Sequence, residues 1–416
     1  MEPGGDAAGP APSWRRDFRL LWVGTTLTQL GGLGTIFAYP LLALAMTESA
    51  VFAGWVVFAG MLPATLLYLP AGVLADRLDR RIVLVVSAAV RGAAAVVLPL
   101  MLFTGHDWAL LIPIVAFVDG TCATLYAVTE AALVPRLVPP EALSGAIARN
   151  EARFHLAMLV GRPLGGLLYG LSRALPFVVN VVAALTAAVL AGFVRGPTRT
   201  GAEQSGAMSL ARLRADLGVG LAWVRRHQLI RLAIAHDSLQ NFLMQAVGLV
   251  VIARAVHQGL PAWFIGLVMA AGGGGGVLGS LVAPTLLRGR SVRQVLTAVA
   301  WAWAGFASCL PFADRGVALV AAFLVYGLIA AHTNVAMANY QARAVPPDLL
   351  GRVISVDRSL SMGAVPLGGL AAGYALPVFG AQGSLTLLAM VGAGWAVLLT
   401  ARLRRIPAAV APVTAG

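Results

Sequence analysis

The chain reads as an all-α polytopic membrane protein, with 12 transmembrane helices in two pseudo-symmetric six-helix bundles. Three observations predict it. Of 416 residues, 59% are hydrophobic and 11% charged, with a mean hydropathy of +0.83, where soluble chains carry about a quarter charged residues. Arginines cluster in every second loop between the apolar runs, and a segment near residue 138 recurs near residue 345. A span needs about 20 apolar residues, so this length accommodates a dozen with short loops.

Taken in order, residues 1–18 form an N-terminal tail, rich in Pro, Gly and Ala and disordered in its first part. Six spans follow at 19–45, 51–75, 82–103, 108–134, 144–172 and 174–195, making a first half over 19–195. The first apolar run is too long for a signal-peptide core and lacks a small-residue cleavage site, so it is expected to stay as an anchor. Residues 196–227 are the longest hydrophilic stretch, a Gly/Thr/Ser linker followed by Leu210, Leu213, Leu217, Leu221 and Val224 at helical spacing among arginines. That pattern predicts an amphipathic helix on the cytoplasmic membrane surface. The second half, 228–402, holds spans at 228–253, 262–287, 293–312, 316–343, 350–376 and 380–402, and 403–416 is a C-terminal tail.

The net charge of +13 follows topology. Arg15, Arg16 and Arg19, then Arg77, Arg80 and Arg81, then Arg136 and Arg149 fall in alternate loops. The phase continues through Arg195–Arg231, Arg288–Arg293, Arg343 and Arg352, and Arg402–Arg405, while the intervening loops hold only Arg173, Arg254 and Arg315. Positive residues stay on the cytoplasmic side, so both termini are expected there, in a bacterial cell membrane. The same distribution argues against a nucleic-acid partner. Every basic residue is arginine, which with abundant Ala and Gly suggests a GC-rich genome. The two cysteines, Cys122 and Cys309, fall inside apolar spans, so neither a disulfide nor a metal site is expected.

The repeat is specific. Val138-Pro139-Pro140-Glu141-Ala142-Leu143 returns as Val345-Pro346-Pro347-Asp348-Leu349-Leu350, an offset of 207, with Arg136 returning as Arg343. Pro163-Leu164-Gly165-Gly166 returns as Pro366-Leu367-Gly368-Gly369 at an offset of 203. A repeat of about six helices is a transporter signature.

Between spans 2 and 3 lies Gly72-Val73-Leu74-Ala75-Asp76-Arg77-Leu78-Asp79-Arg80-Arg81, five charges that must sit at the interface. Gly72, Asp76, Arg77, Arg80 and Arg81 match the Gly-x-x-x-Asp-Arg-x-x-Arg-Arg hinge of major facilitator superfamily transporters, which this segment resembles. In the second half Gly279 matches Gly72, but Pro284 to Arg290 has lost the acidic partners. The resemblance runs from about residue 18 to 402 and is closest to the 12-helix bacterial efflux branch of enterobactin-type exporters and macrolide-efflux proteins. Phe18-Arg19-Leu20-Leu21-Trp22, Pro63, Leu133-Val134-Pro135, Trp223 to His227 and Gly351-Arg352-Val353 carry it.

Gly161-Arg162-Pro163-Leu164-Gly165-Gly166 resembles the Gly-Pro-x-x-Gly-Gly segment of antiporters in that family, with Arg162 where proline is usual. The branch commonly carries a Gly-Asp pair in span 1, and this chain reads Gly31-Gly32. If that aspartate is a coupling acid in relatives, this chain is expected to carry its proton elsewhere or to couple differently.

Polar residues in spans 1, 4, 7 and 10 fall on helical stripes, and by resemblance these spans line the central cavity. Span 4 offers Asp119, Cys122, Tyr126 and Glu130; span 7 offers His236, Asp237, Gln240, Asn241 and Gln245. Span 1 offers Thr25, Thr28 and Gln29; span 10 offers His332, Asn334 and Asn339. Ionisable residues at bilayer depth usually face a cavity or partner, so Asp119 and Asp237 are the leading proton carriers, with Glu130 third. For each acid the alternative is a structural pair with an arginine such as Arg91 or Arg153.

No HExxH, GxSxG, Walker A lysine or Cys/His metal spacing is present, so an enzyme is not expected and no cofactor is called for. The resulting expectation is a monomeric secondary exporter of a small amphipathic molecule, a drug, antibiotic or siderophore. It would be coupled to protons and work by alternating access. An importer or uniporter of the same fold, and a membrane sensor or scaffold, are the alternatives.

Overall fold

A computed structural model describes residues 13–196, 198, 210–313 and 316–406 of the chain. Most of the N-terminal tail, the Gly/Thr/Ser part of the linker, Asp314, Arg315 and the C-terminal tail from 407 lie outside the described residues. The first half is built from α1 (Ser13–Thr47), α2 (Ala50–Arg77), α3 (Arg80–Thr104), α4 (Leu111–Leu137), α5 (Pro140–Leu171) and α6 (Leu175–Gly192). After α7 (Leu210–Arg226) come α8 (Gln228–His257), α9 (Ala262–Leu286), α10 (Val292–Cys309), α11 (Gly316–Ala344) and α12 (Pro347–Arg404).

Among the described residues, ten helices are long and apolar enough to cross a membrane. Two further crossings complete the twelve. Helix α5, outside that set, carries Glu141, Arg149, Glu151, Arg153 and Arg162. Helix α12 is two spans run together, broken at Gly380, whose φ of 64° and ψ of 179° suit only glycine. The even number brings Ser13 and Arg404 to the same face.

Apolar side chains gain nothing by leaving lipid for a helix neighbour, so small residues and close backbone approach decide which helices pair. The halves meet along two such seams, α2 with α12 and α5 with α9. A Cβ at Gly54 would lie 2.8 Å from the Gly369 carbonyl, and one at Gly373 2.8 Å from the Ala50 carbonyl. On the other seam a Cβ at Gly166 would lie 2.5 Å from the Ala262 carbonyl, and one at Gly266 2.8 Å from the Arg162 carbonyl. The glycine run of α9 serves packing: Gly275 abuts Leu324 of α11, while Gly273 faces Met158 and Leu159 of α5.

Both seams are tight at the face away from the termini and open toward the terminal face. One buried apolar cluster crosses between the halves, joining Phe37, Leu42 and Val56 to Leu243, Val250 and Ile265. The buried clusters on the terminal side each stay within one half: Phe18, Leu133 and Ala187 in the first, Leu229, Leu296 and Leu399 in the second. Among the described residues, the buried packing shared by the halves lies on the face opposite both ends.

Helix α7 forms where the periodicity predicts, with a different cover. Leu217 and Leu221 pack against a buried cluster of Val224, Ile230, Val345, Val353 and Val356. Its apolar face therefore docks on the second half, against the start of α12, and the expectation that this face lies on the membrane surface is corrected.

Candidate functional site

A cavity of about 310 Å³ sits at the junction of the halves. Thr25, Gln29, Gly32, Ile36 and Phe37 of α1 line it, with Met61 of α2, Asp119 and Tyr126 of α4, and Arg162 of α5. From the second half come Met244, Gln245, Leu249 and Ile252 of α8 and Met269 of α9. The wall is mostly apolar with a few convergent polar groups, the usual make-up of a small-molecule site.

Of the residues expected at the cavity, Thr25, Gln29, Tyr126 and Gln245 line it. The others are not among its lining residues. His236 accepts a hydrogen bond at Nδ1 from the Trp395 indole N–H at 3.1 Å, so it points into its own half. Asn241 donates to the Ser361 carbonyl at 3.1 Å, and His332 Nδ1 lies 2.7 Å from the Leu328 carbonyl oxygen. Gln240 is buried in α8, while Asn334 and Asn339 are exposed on α11. Among the lining residues none belongs to α11.

The acidic stripe of α4 is buried as the spacing predicts, and both of its carboxylates are taken. Arg91 of α3 donates from Nε to Asp119 Oδ1 at 2.8 Å, from Nη2 to Oδ2 at 3.3 Å, and from Nη1 to the Thr28 carbonyl at 3.2 Å. Asn180 of α6 adds a donor to Asp119 Oδ1 at 2.9 Å. About three turns nearer the termini, Arg153 of α5 forks onto Glu130 at 2.8 and 3.2 Å. These forked pairs tie α1, α3, α4 and α6 together, and α4 to α5. The oxygens of Asp119 and Glu130 are engaged in helix–helix bonds, the structural pairing given above as the alternative for each acid.

Asp237 differs. Among the described residues it forms no ion pair or hydrogen bond, and its electrostatic neighbours are Asp357 of α12 and Tyr326 of α11. Asp357 accepts from Gln341 Nε2 at 2.7 Å and from Ser361 Oγ at 3.0 Å. Asp357 sits ten residues inside α12. Asn180 was missed, since one asparagine in an apolar span gives no periodic signal.

In the antiporter-like motif, Gly161 and Gly165 pack on α1 at Leu33 and Gly34, Pro163 faces Gly266, and Gly166 meets Ala262. The motif lies on the seam between halves, and Arg162 is one of the cavity's lining residues. In the hinge, Asp76 pairs with Arg80 at 2.8 Å. Arg81 donates to the Gly192 carbonyl, and its backbone N–H is capped by Asp79 at 2.9 Å. These bonds anchor the hinge within the first half. Among the described residues no His, Cys, Asp or Glu group is arranged to hold a metal.

Twelve crossings in two halves, open to one face around a central cavity, define a multi-pass membrane transporter. Residues 21–356 match the Major Facilitator Superfamily, and the chain belongs to that family. It is similar to the multidrug efflux pump Tap of Mycolicibacterium fortuitum, 29% identical over 410 residues, 94% of this chain and 98% of that protein. It also resembles macrolide efflux protein A of Streptococcus pyogenes, 22% identical over 86% of this chain and 88% of that one. The fold matches the crystal structure of nucleoside transporter NupG, with a TM-score of 0.71 at 15% identity over 95% of this chain and 100% of that one.

Proposed function

We propose that this protein exports a small amphipathic molecule across a bacterial cytoplasmic membrane by alternating access, in exchange for protons. The observation that carries the reading is the cavity, mostly apolar and set between halves that are sealed on one face and parted on the other. The arginine bias assigns the parted face to the cytoplasm, so the structure corresponds to the state that loads from inside. Similarity to proteins named as efflux pumps supports export over import.

Asp237 is the proton carrier in this reading. It is the acid left without a cation, on a helix that lines the cavity, while Asp119 and Glu130 hold helices together. No nucleotide-binding motif accompanies the fold, so the gradient supplies the work; one charge crossing gains about 2.3 kcal/mol per 100 mV. The six-helix halves move as rocking units, and the protein works as a monomer.

The test uses inside-out vesicles with a panel of antibiotics and siderophores. Addition of a transported compound is expected to release protons from the acidified lumen as the compound accumulates there. Accumulation without proton movement would leave a uniporter, and uptake in the opposite direction an importer. Reporter fusions after Arg199 and Arg405 are expected to read cytoplasmic, and one at Asp314 external.

A further inference from the structure

We infer that the cavity takes an amphipathic molecule bearing an anionic group such as a carboxylate, and that Arg162 binds that group. This deepens the export reading and borrows from it only the direction of travel.

The inference rests on a count of the charges in the cavity wall. They are Arg91, Asp119 and Arg162. Arg91 and Asp119 cancel, since the guanidinium and carboxylate are forked on one another. The guanidinium also fills the space beside Gly32, where an added Cβ would collide with Arg91 Nη2. Arg162 remains. Among the described residues its side chain has no ion pair and no hydrogen bond, and its electrostatic neighbour is Tyr326 of α11. Asp237 acts on the same tyrosine, lies outside the cavity lining, and makes no ion pair with Arg162.

A cation at bilayer depth costs about 2.5–3.5 kcal/mol or more and ordinarily finds a partner. One left unpaired on a cavity wall is partnered by what enters. The planar guanidinium offers two parallel N–H groups that match a carboxylate. A second donor is present: Tyr39 also lines the cavity, is 4% exposed, and its hydroxyl has no partner among the described residues. The rest of the wall, with Leu33, Ile36, Phe37, Met244 and Met269, accepts an apolar body. An anion leaving a negative-inside cell also moves down the membrane potential, so such a substrate suits export.

The experiment measures binding to the purified full-length protein with two probes of one fluorophore, dansylglycine and dansylcholine, which present a carboxylate and a quaternary ammonium. The carboxylate is expected to bind about tenfold more tightly, a difference of about 1.4 kcal/mol. Arg162→Gln is expected to remove that preference by weakening dansylglycine, while dansylcholine still binds at least as tightly as to the native protein because a like charge is gone, which also shows the variant is folded; Arg162→Lys should keep most of the preference. Equal affinities in the native protein, or no carboxylate binding, would overturn the inference. So would an Arg162→Gln protein with the preference intact and only slowed transport, since Arg162 would then serve the rocking of the halves. Binding to the free protein is independent of direction and coupling, so this result and the vesicle result fail separately.

Discussion

At Pro163-Leu164-Gly165-Gly166 and Pro366-Leu367-Gly368-Gly369 the two halves make the same contacts with exchanged partners. In each, the first glycine packs within its own half, Gly165 on Gly34 of α1 and Gly368 on Phe242 of α8. The second glycine packs across the seam, Gly166 on Ala262 of α9 and Gly369 on Val57 of α2. The backbone frame is duplicated, but the charges are not. The first half buries Arg91–Asp119 and Arg153–Glu130. At the 207-residue offset of the repeat, Asp119 corresponds to Tyr326 and Glu130 to Met337. The second half instead holds Asp237 and Asp357 without a salt bridge among the described residues. One half is braced by its charges, and the other keeps a carboxylate available.

The largest effect is expected where the frame is shared. Gly165→Leu and Gly368→Leu each drive a side chain into backbone, and overpacking of this kind costs about 1–3 kcal/mol or more. Both should abolish transport, and both should lower the yield of extractable protein. Normal activity in one of the two would mean that the frames of the two halves are not equivalent.

Next comes the bracing. Asp119→Asn leaves Arg91 buried without its counter-charge, a loss of about 3–5 kcal/mol for a pair broken on one side. The expected result is a marked fall in thermal unfolding temperature in detergent, with transport lost in proportion to folded protein. Asp237→Asn is expected to change that temperature little, because no bond is broken. It should abolish uphill efflux while substrate counterflow survives. The two variants thus separate stability from coupling. Uphill export by the Asp237→Asn protein would remove the carrier role from Asp237.

Twelve spans, the hinge and the repeat are legible in the sequence because each rests on local pattern: apolar length, charge phase and a recurring string. The partners of the polar stripes are not. Helical spacing places Asp119, Tyr126 and Glu130 on one face, but whether that face meets water or arginine depends on where α3 and α5 cross it. Arg91 and Arg153 stand out in the sequence; their pairing is a matter of three-dimensional register. His236 shows the same limit. It belongs to a helix that lines the cavity, yet its bond to Trp395 turns it toward a span more than 150 residues away in sequence. Likewise the apolar face of α7 is evident from its leucines, whereas its cover, Val353 and Val356, comes from a different helix.

The two hinges give the finest contrast and the smallest effect. Between α2 and α3, charges do the joining: Asp76 to Arg80, Arg81 to the end of α6, and Asp79 capping α3. Between α9 and α10 the equivalent turn uses a neutral capping box, with Ser291 Oγ accepting from the Gln294 N–H at 3.3 Å and Gln294 Oε1 accepting from the Ser291 N–H at 2.8 Å. In the closed-inside state the resemblance implies that Asp76 meets the positive N-terminal end of the span near Gly351. Asp76→Asn should therefore slow transport severely at normal abundance. Ser291→Ala removes only a cap, worth about 0.5–2 kcal/mol, so its expected outcome is a small fall in unfolding temperature with transport rate preserved. The paired measurement is initial efflux rate per folded transporter. If Asp76→Asn transported as fast as Ser291→Ala, both turns would be simple joints. The charge network would then be a mark of topology alone.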